Sequence, residues 1–243
     1  MLHRTCRVIG FVCAGVVLCA GEAAAEPFTI GVNFVGNEGY SPGGEAVLAP
    51  ADLAGAIPQA NWNNAYGGCH TLAGLRDADG DGTGVTVTWQ ADVYYLGVAD
   101  LSADHRLMRG HLAPLGSDPI TVTVTGLGAI ALGPYDVLVY FDVYNSGQHD
   151  DDVAMTFAIG PWALTGTDPA GADFSGTFVE DTGAGGNYVR LGGLTGDGFV
   201  LEASGDGAAI NALQIHHTPE PATLLLVAIG AAACAAVRRR LER

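Results

Sequence analysis

The chain has 243 residues and a formal net charge of −16, and because such an acidic surface repels phosphate backbones, we expect no nucleic-acid partner. All ten basic residues are arginines, and the lack of lysine excludes both a P-loop phosphate site and enzymes that form a Schiff base. Of the five cysteines, only Cys69 lies outside the two terminal segments considered below, so the intervening chain can form no internal disulfide.

The first 25 residues have the features of a secretory signal peptide. Arg4 and Arg7 precede an apolar run at residues 8–20, and small residues ending at Ala25 follow it. A positive flank, a short apolar stretch and a small-residue cleavage site are typical of such peptides. We therefore predict cleavage after Ala25, the alternative interpretation being a buried N-terminal helix.

Residues 26–217 have a suitable size for one large all-β domain. The segment carries 23 acidic residues and four arginines, an excess of 19 negative charges. Short alternating or apolar stretches separated by Gly, Asp, Asn and Pro predict about ten strands. They lie at residues 28–36, 84–89, 120–127, 135–143, 153–160, 162–167, 174–180, 187–194, 198–204 and 209–217. This pattern predicts a two-sheet antiparallel β-sandwich of the jelly-roll type.

Periodicity also predicts buried faces and two short helices. Alternation within two of the strands directs six side chains toward the core: Val85, Val87, Trp89, Ile120, Val122 and Val124. Helical pieces are predicted at residues 50–55 and 102–112, the second with Ser102 as its N-cap.

An aromatic and amide-rich stretch, residues 61–68, suggests one binding site. It places Trp62 and Tyr66 among three asparagines and two glycines. Aromatic rings that stack on a sugar, beside amides that bond its hydroxyl groups, are typical of carbohydrate-binding loops. The other interpretation, which we favour, makes Trp62 a hydrophobic plug at one end of the sandwich.

An aspartate-rich loop suggests a second site. Asp77, Asp79 and Asp81 have the spacing of calcium ligands, and Gly82 occupies the position where a calcium loop bends. The twelfth position of the loop is Thr88 rather than a bidentate glutamate, and the flanking segments are predicted strands. A solvated hairpin loop is therefore the favoured interpretation, calcium is the alternative, and no cofactor is required.

Other polar clusters point to no particular chemistry. Residues 149–152 (HDDD) read as a loop between strands, and the sequence contains neither an H-E-x-x-H nor a G-x-S-x-G motif. His105 and His111 are six residues apart, which would place them on different faces of the predicted helix. A glycosidase needs only two facing carboxylates, but no spacing singles out such a pair. We therefore expect no enzymatic activity, a glycan-active enzyme being an alternative.

Residues 218–243 have three elements in a fixed order. Pro219, Glu220 and Pro221 come first, residues 222–237 form an uncharged apolar span, and three arginines follow: Arg238, Arg239 and Arg240. The span is 16 residues long, or about 24 Å as a helix, so it is a short transmembrane helix against a core of about 30 Å. The arginines would hold the C-terminus in the cytoplasm. A core helix and a permanent anchor are the other interpretations.

This tail resembles the PEP-CTERM sorting signal of exported Gram-negative bacterial proteins. The resemblance implies that residues 219–221 are the recognition triplet, that the arginines are the cytoplasmic stop, and that an exosortase processes the tail. It also implies a destination at the outer surface or in an exopolysaccharide matrix. Weaker likenesses concern the exported segment: residues 32–36 and 58–64 resemble domains common in PEP-CTERM proteins. Residues 209–215 are similar to the last strand of galactose-binding-like and malectin-like sandwiches, which often bind carbohydrate.

The sequence thus predicts three parts: a signal peptide (1–25), an exported β-sandwich (26–217) and a sorting signal (218–243). The predicted role is non-catalytic, structural or interactive, in the cell envelope or extracellular matrix. The alternatives are a carbohydrate-binding module that uses Trp62 and Tyr66, and a glycan-active enzyme. The predicted partners are an exosortase-type enzyme, the membrane through residues 222–237 before processing, and exopolysaccharide.

Overall fold

Strands dominate the structure, a computed structural model that describes residues 28–36, 46–95, 98–130, 133–143, 151–171 and 173–217. The predicted signal peptide and the predicted sorting signal lie outside these residues. All described residues belong to one unit, Ala25–Glu220. Within the described ranges, no helix is long and apolar enough to cross a membrane.

The described elements are thirteen strands, one α-helix and one 3-10 helix. In chain order they are β1 (Phe28–Phe34), β2 (Asn63–Ala65), β3 (Cys69–Ala73), β4 (Thr86–Gln90), β5 (Asp92–Tyr95), α1 (Ala103–Leu107), β6 (Gly110–Ala113), β7 (Ile120–Thr125), the 3-10 helix (Leu127–Ala129), β8 (Tyr135–Tyr140), β9 (Val153–Ile159), β10 (Trp162–Asp168), β11 (Tyr188–Leu194), β12 (Gly198–Ser204) and β13 (Ala212–His217).

Two larger sheets and one two-stranded sheet contain these strands. The five-stranded sheet has the order β11-β8-β13-β1-β2, the six-stranded sheet has the order β10-β9-β12-β7-β4-β3, and β5 pairs with β6. Every pairing is antiparallel except that of β1 with β2. The prediction of a mostly antiparallel all-β fold is therefore confirmed.

One hydrophobic core joins the two larger sheets. Its buried side chains come from both, including Ile30, Val32, Val137, Val139 and Ile215 of the five-stranded sheet and Val87, Val122, Phe157 and Leu201 of the six-stranded sheet. The six side chains predicted from alternation to point inward are all buried. Burial of these apolar surfaces is the main force that holds the two layers together.

A second hydrophobic cluster covers the other face of the five-stranded sheet. Successive residues of β8 alternate between the two clusters: Val137 and Val139 belong to the core, whereas Leu138 and Tyr140 belong to the second cluster. This explains why residues 137–140 of β8 are apolar on both faces. Trp62 and Leu107 of α1 also belong to the second cluster, so α1 and the loop before β2 cover this face.

Several local predictions are wrong. Residues 50–55 form turns rather than a helix, and 174–180 form no strand beyond a single bridge at Glu180. The helix predicted at 102–112 begins as expected, with Ser102 Oγ accepting from the His105 N–H, but α1 ends at Leu107. Residues 108 and 109 form a turn, and β6 begins at Gly110, where pairing with β5 satisfies the backbone groups.

Candidate functional site

Trp62, the predicted sugar platform, is buried. Only 5 % of its surface is exposed, and its indole N–H donates to the carbonyls of Ala54 (3.2 Å) and Gln59 (3.1 Å). The ring lies against Gly31, where a Cβ would collide with the indole. Trp62 therefore cannot stack on a sugar in this conformation. This corrects the sugar-platform hypothesis in favour of the hydrophobic plug.

A hydrogen-bond network fixes Trp62 and its loop to the sheet. The Tyr140 hydroxyl accepts from the Ala56 N–H (2.9 Å) and donates to Gln214 Oε1 (2.6 Å). Gln214 Nε2 in turn donates to Ile57 O (2.6 Å) and to Gln59 Oε1 (2.9 Å). Since these groups are paired with one another, the network has a structural role. Tyr66, the other predicted ligand residue, is 37 % exposed.

The aspartate-rich loop is closed by its own groups. Asp77 Oδ1 accepts from the N–H groups of Asp79 (3.1 Å) and Asp81 (2.9 Å), and the Asp77 N–H donates to Asp81 O (3.0 Å). The Arg76 guanidinium donates to Gly80 O (2.6 Å). A side chain that bonds the next backbone groups in this way is typical of Asx turns. The loop geometry is thus explained without a cation.

Across the described ranges, no group of three or more His, Cys, Asp or Glu side chains comes together in a way that could hold a metal ion. Of the HDDD segment, Asp152 accepts from the Ala170 N–H (2.9 Å), while residues 149 and 150 lie outside those ranges. Calcium binding at Asp77, Asp79 and Asp81 remains a prediction.

His111 lies in a strand rather than in the predicted helix. It is buried in β6, and its ring stacks on Tyr94 with 5.9 Å between centroids. Burial lowers the pKa of His111 from 6.5 to about 4, because a charged imidazole would lose its hydration. His105 remains on α1, where its ring packs edge-on against Phe174. The two histidines therefore do not form a shared site.

Asp142 and Asp168 form a pair of buried carboxylates that the sequence did not indicate. They lie beside a hollow of about 210 Å³, which Asp173 and Phe174 also line. Asp142 Oδ2 accepts from the Phe174 N–H (3.1 Å), and Asp168 Oδ2 accepts from the Val143 N–H (2.9 Å). Burial, reinforced by the neighbouring Asp168 and Asp173 charges, raises the pKa of Asp142 well above its usual value. The sequence signal was weak, because Asp142 simply follows an apolar run.

Each carboxylate of this pair holds a backbone group of the protein. A glycosidase needs its two carboxylates on opposite sides of a bound sugar. Here each carboxylate holds a backbone N–H, both side chains are buried, and the adjacent hollow is smaller than the usual ligand pocket of about 300–1,000 Å³. Asp142 Oδ2 and Asp168 Oδ2 thus support the surrounding loops, whereas the buried Asp142 Oδ1 has no hydrogen-bond partner in the described part of the chain.

Trp162 is an aromatic side chain that the sequence placed in a strand but not in a site. It is 58 % exposed at the start of β10, directly after the turn at Gly160 and Pro161. It borders a hollow of about 480 Å³, lined also by Leu194, Thr195 and Phe199. An exposed tryptophan beside a concave surface is the arrangement that sugar stacking requires.

Residues 217–240 match the PEP-CTERM protein-sorting motif. The match contains the predicted triplet, Pro219, Glu220 and Pro221, and the arginines at 238–240, all outside the described residues. No curated protein and no solved structure matches the chain. The motif begins at His217, the last residue of β13, so the described sandwich directly precedes it. The chain therefore carries a C-terminal PEP-CTERM sorting signal, the mark of an exosortase substrate that is exported to the cell surface or beyond.

Proposed function

We propose that this chain is a non-catalytic interaction protein of the cell surface or extracellular matrix, displayed there as a jelly-roll type β-sandwich after exosortase processing. The observation that carries the proposal is the sorting motif at 217–240, which starts where β13 ends. A predicted signal peptide at 1–25 would start export, and residues 222–237 would span the membrane with the C-terminus in the cytoplasm until processing.

The polar side chains of the described sandwich support a non-catalytic role. Asp142, Asp168 and Gln214 each bond structural groups of the protein itself. An active site instead keeps reactive groups open toward a substrate. The proposal needs no cofactor, and its partners are an exosortase-type enzyme and, at the destination, the exopolysaccharide matrix.

Variants of the recognition triplet test the proposal. Alanine replacement of Pro219, Glu220 and Pro221 together should retain the chain in the inner-membrane fraction, whereas the wild type should reach the outer surface. Thr218→Ala is the matched control, because it changes the adjacent residue and leaves the triplet intact. Equal surface display of the triple variant and the wild type, measured by protease shaving of intact cells, would contradict the proposal.

Carbohydrate binding is the second candidate, and the exposed ring of Trp162 favours it. In place of the buried Trp62, Trp162 offers an accessible indole face beside the 480 Å³ hollow. We expect Trp162→Ala to abolish retardation of the protein in polysaccharide-containing native gels. Tyr94→Ala, which removes an exposed aromatic ring elsewhere, should leave retardation unchanged. Identical mobility of the wild type with and without polysaccharide would refute this candidate.

A further inference from the structure

β10 is an outer strand of the six-stranded sheet, and residues 162–165 at its start are exposed although β11 lies near the strand. It pairs on one side with β9, from Trp162 opposite Ile159 to Asp168 opposite Val153. Residues 162–165 are all exposed, and Leu164 retains 39 % of its accessible surface. Trp162 and Leu164 lie on the same face of β10, two residues apart. The free edge therefore combines open backbone with two exposed apolar side chains.

The hydrogen bonds of Thr167 show which backbone groups face outward. Its N–H donates to Asp181 Oδ2 (2.6 Å) and its carbonyl accepts from the Gly186 N–H (3.1 Å), both away from β9. Backbone groups two and four residues earlier in a strand point the same way. The N–H and C=O groups of Thr165 and Ala163 therefore also face outward. No group in the described part of the chain bonds them.

Free strand edges are normally protected. Natural proteins use charged side chains, bulges, very short strands or a covering loop to prevent unwanted pairing. The far end of β10 has such cover at Thr167, and the outer strand β2 of the other sheet has only three residues. Residues 162–166 carry no charge in a chain whose net charge is −16. The exposed part of β10, residues 162–165, thus has neither a charged side chain nor a covering loop.

We propose that this edge pairs with the same edge of a second copy of the chain. The two outward-facing residues, Ala163 and Thr165, flank Leu164 symmetrically. An antiparallel pairing centred on Leu164 sets Ala163 of each copy opposite Thr165 of the other, and each such pair exchanges two hydrogen bonds. The pairing thus makes four hydrogen bonds with one two-fold axis.

The side chains fit this two-fold arrangement. Leu164 lies opposite the Leu164 of the other copy in a non-hydrogen-bonded pair, the position at which side chains approach most closely. Trp162 lies opposite Gly166, and because the Phe141 ring packs over that glycine, the indole would lie beside Phe141. The neutral strand also avoids the like-charge repulsion expected between two acidic proteins. A second copy is therefore a better occupant than an unrelated charged strand.

The oligomeric state of the full exported chain tests the pairing. Light scattering coupled to size exclusion should show a dimer at micromolar concentration, and Leu164→Asp should weaken the association at least tenfold by opposing two carboxylates on the axis. Leu101→Asp is the matched control: Leu101 is 75 % exposed in the loop before α1, and this variant should remain dimeric. A monomeric wild type, or equal association of both variants, would overturn the inference.

Two further variants separate loss of pairing from loss of folding. Thr165→Pro removes an outward N–H without removing a bond to β9, so it should abolish the dimer while its melting temperature stays close to that of the wild type. Leu164→Cys, in a Cys69→Ser background, should form an intermolecular disulfide at position 164 on mild oxidation. Ala163→Cys in the same background should not, because symmetry sets it opposite Thr165. Dimers that persist in Thr165→Pro, or equal crosslinking at 163 and 164, would exclude this register.

Discussion

Replacing Tyr140 with phenylalanine tests the hydrogen-bond network that holds the Trp62 loop against the sheet. Tyr140 is fully buried at the end of β8. Its hydroxyl bonds both the Ala56 N–H (2.9 Å) and Gln214 Oε1 (2.6 Å). Phenylalanine preserves the ring, which packs edge-on against Trp62 at 6.2 Å. The substitution therefore removes the two hydrogen bonds and little else.

The expected loss of stability comes from the Ala56 N–H and Gln214 Oε1, which lose their hydrogen-bond partner in this variant. A buried donor or acceptor without a partner costs about 1–3 kcal/mol, and Gln214 cannot turn away, because its amide nitrogen bonds Ile57 and Gln59. The Ala56 N–H is only partly buried, so a hydrogen bond to water can offset part of its lost bond to Tyr140. We expect a total loss of about 2–3 kcal/mol. For a domain of this size, that loss corresponds to a fall in melting temperature of about 4–12 °C.

Tyr135→Phe is the matched control, at the other end of the same strand. The Tyr135 hydroxyl is buried and has no hydrogen-bond partner in the described part of the chain, so its removal should be neutral or slightly stabilising. Thermal melts followed by circular dichroism and urea unfolding measure both variants. A Tyr140→Phe loss below about 0.5 kcal/mol would refute the reasoning, since that is less than one typical net hydrogen bond. Equal losses in the two variants would refute it as well.

Three further predictions concern His111, Trp62 and the loop at residues 77–81. The unfolded chain protonates His111 near pH 6.5 whereas the folded chain does so near pH 4, so stability from this group is lost as the pH falls through that window. Between pH 7 and pH 4, the free energy of unfolding of the wild type should therefore fall by up to about 3 kcal/mol relative to that of His111→Phe, as measured by urea unfolding. Parallel pH profiles of this free energy in the two proteins would contradict the prediction. Trp62→Ala should destabilise the fold by about 3–5 kcal/mol. In protein that remains folded it should leave polysaccharide retardation in native gels unchanged, in contrast to Trp162→Ala. Lost retardation in folded Trp62→Ala protein would make Trp62 a ligand residue. Because the 77–81 loop is closed by its own hydrogen bonds, millimolar calcium should shift the melting temperature by less than about 1 °C, and a larger shift that Asp79→Asn removes would establish a calcium site there.

Local patterns were sufficient to predict the elements whose burial follows from their own sequence. The alternation around Val87 and Val122 predicted both strands and their inward faces, since the period of two is a property of the strand itself. Ser102 likewise marked the beginning of α1, because a cap bonds a group only three residues away. These predictions needed no knowledge of distant contacts.

The remaining features depend on pairings between distant residues. The segment at 110–113 overlaps the helix predicted at 102–112, but it forms β6 because β5 supplies its hydrogen-bond partners. Trp62 resembles a ligand residue in its sequence context, yet it is buried because Gly31, which lies 31 positions earlier, leaves room for its ring. The nearness of Asp142 to Asp168 arises in the same way, when the segment after β8 meets the end of β10. Sequence spacing carries no signal for such encounters.

We propose that the C-terminal signal sorts this β-sandwich to the outside of the cell and is removed in the process. Mass spectrometry of the C-terminal peptide, from protein recovered in the surface and matrix fractions, tests it most directly. We expect a mature chain that has lost Arg238–Arg240 and ends within or before the matched segment, 217–240. An intact C-terminus at Arg243 in matrix-associated protein would contradict it.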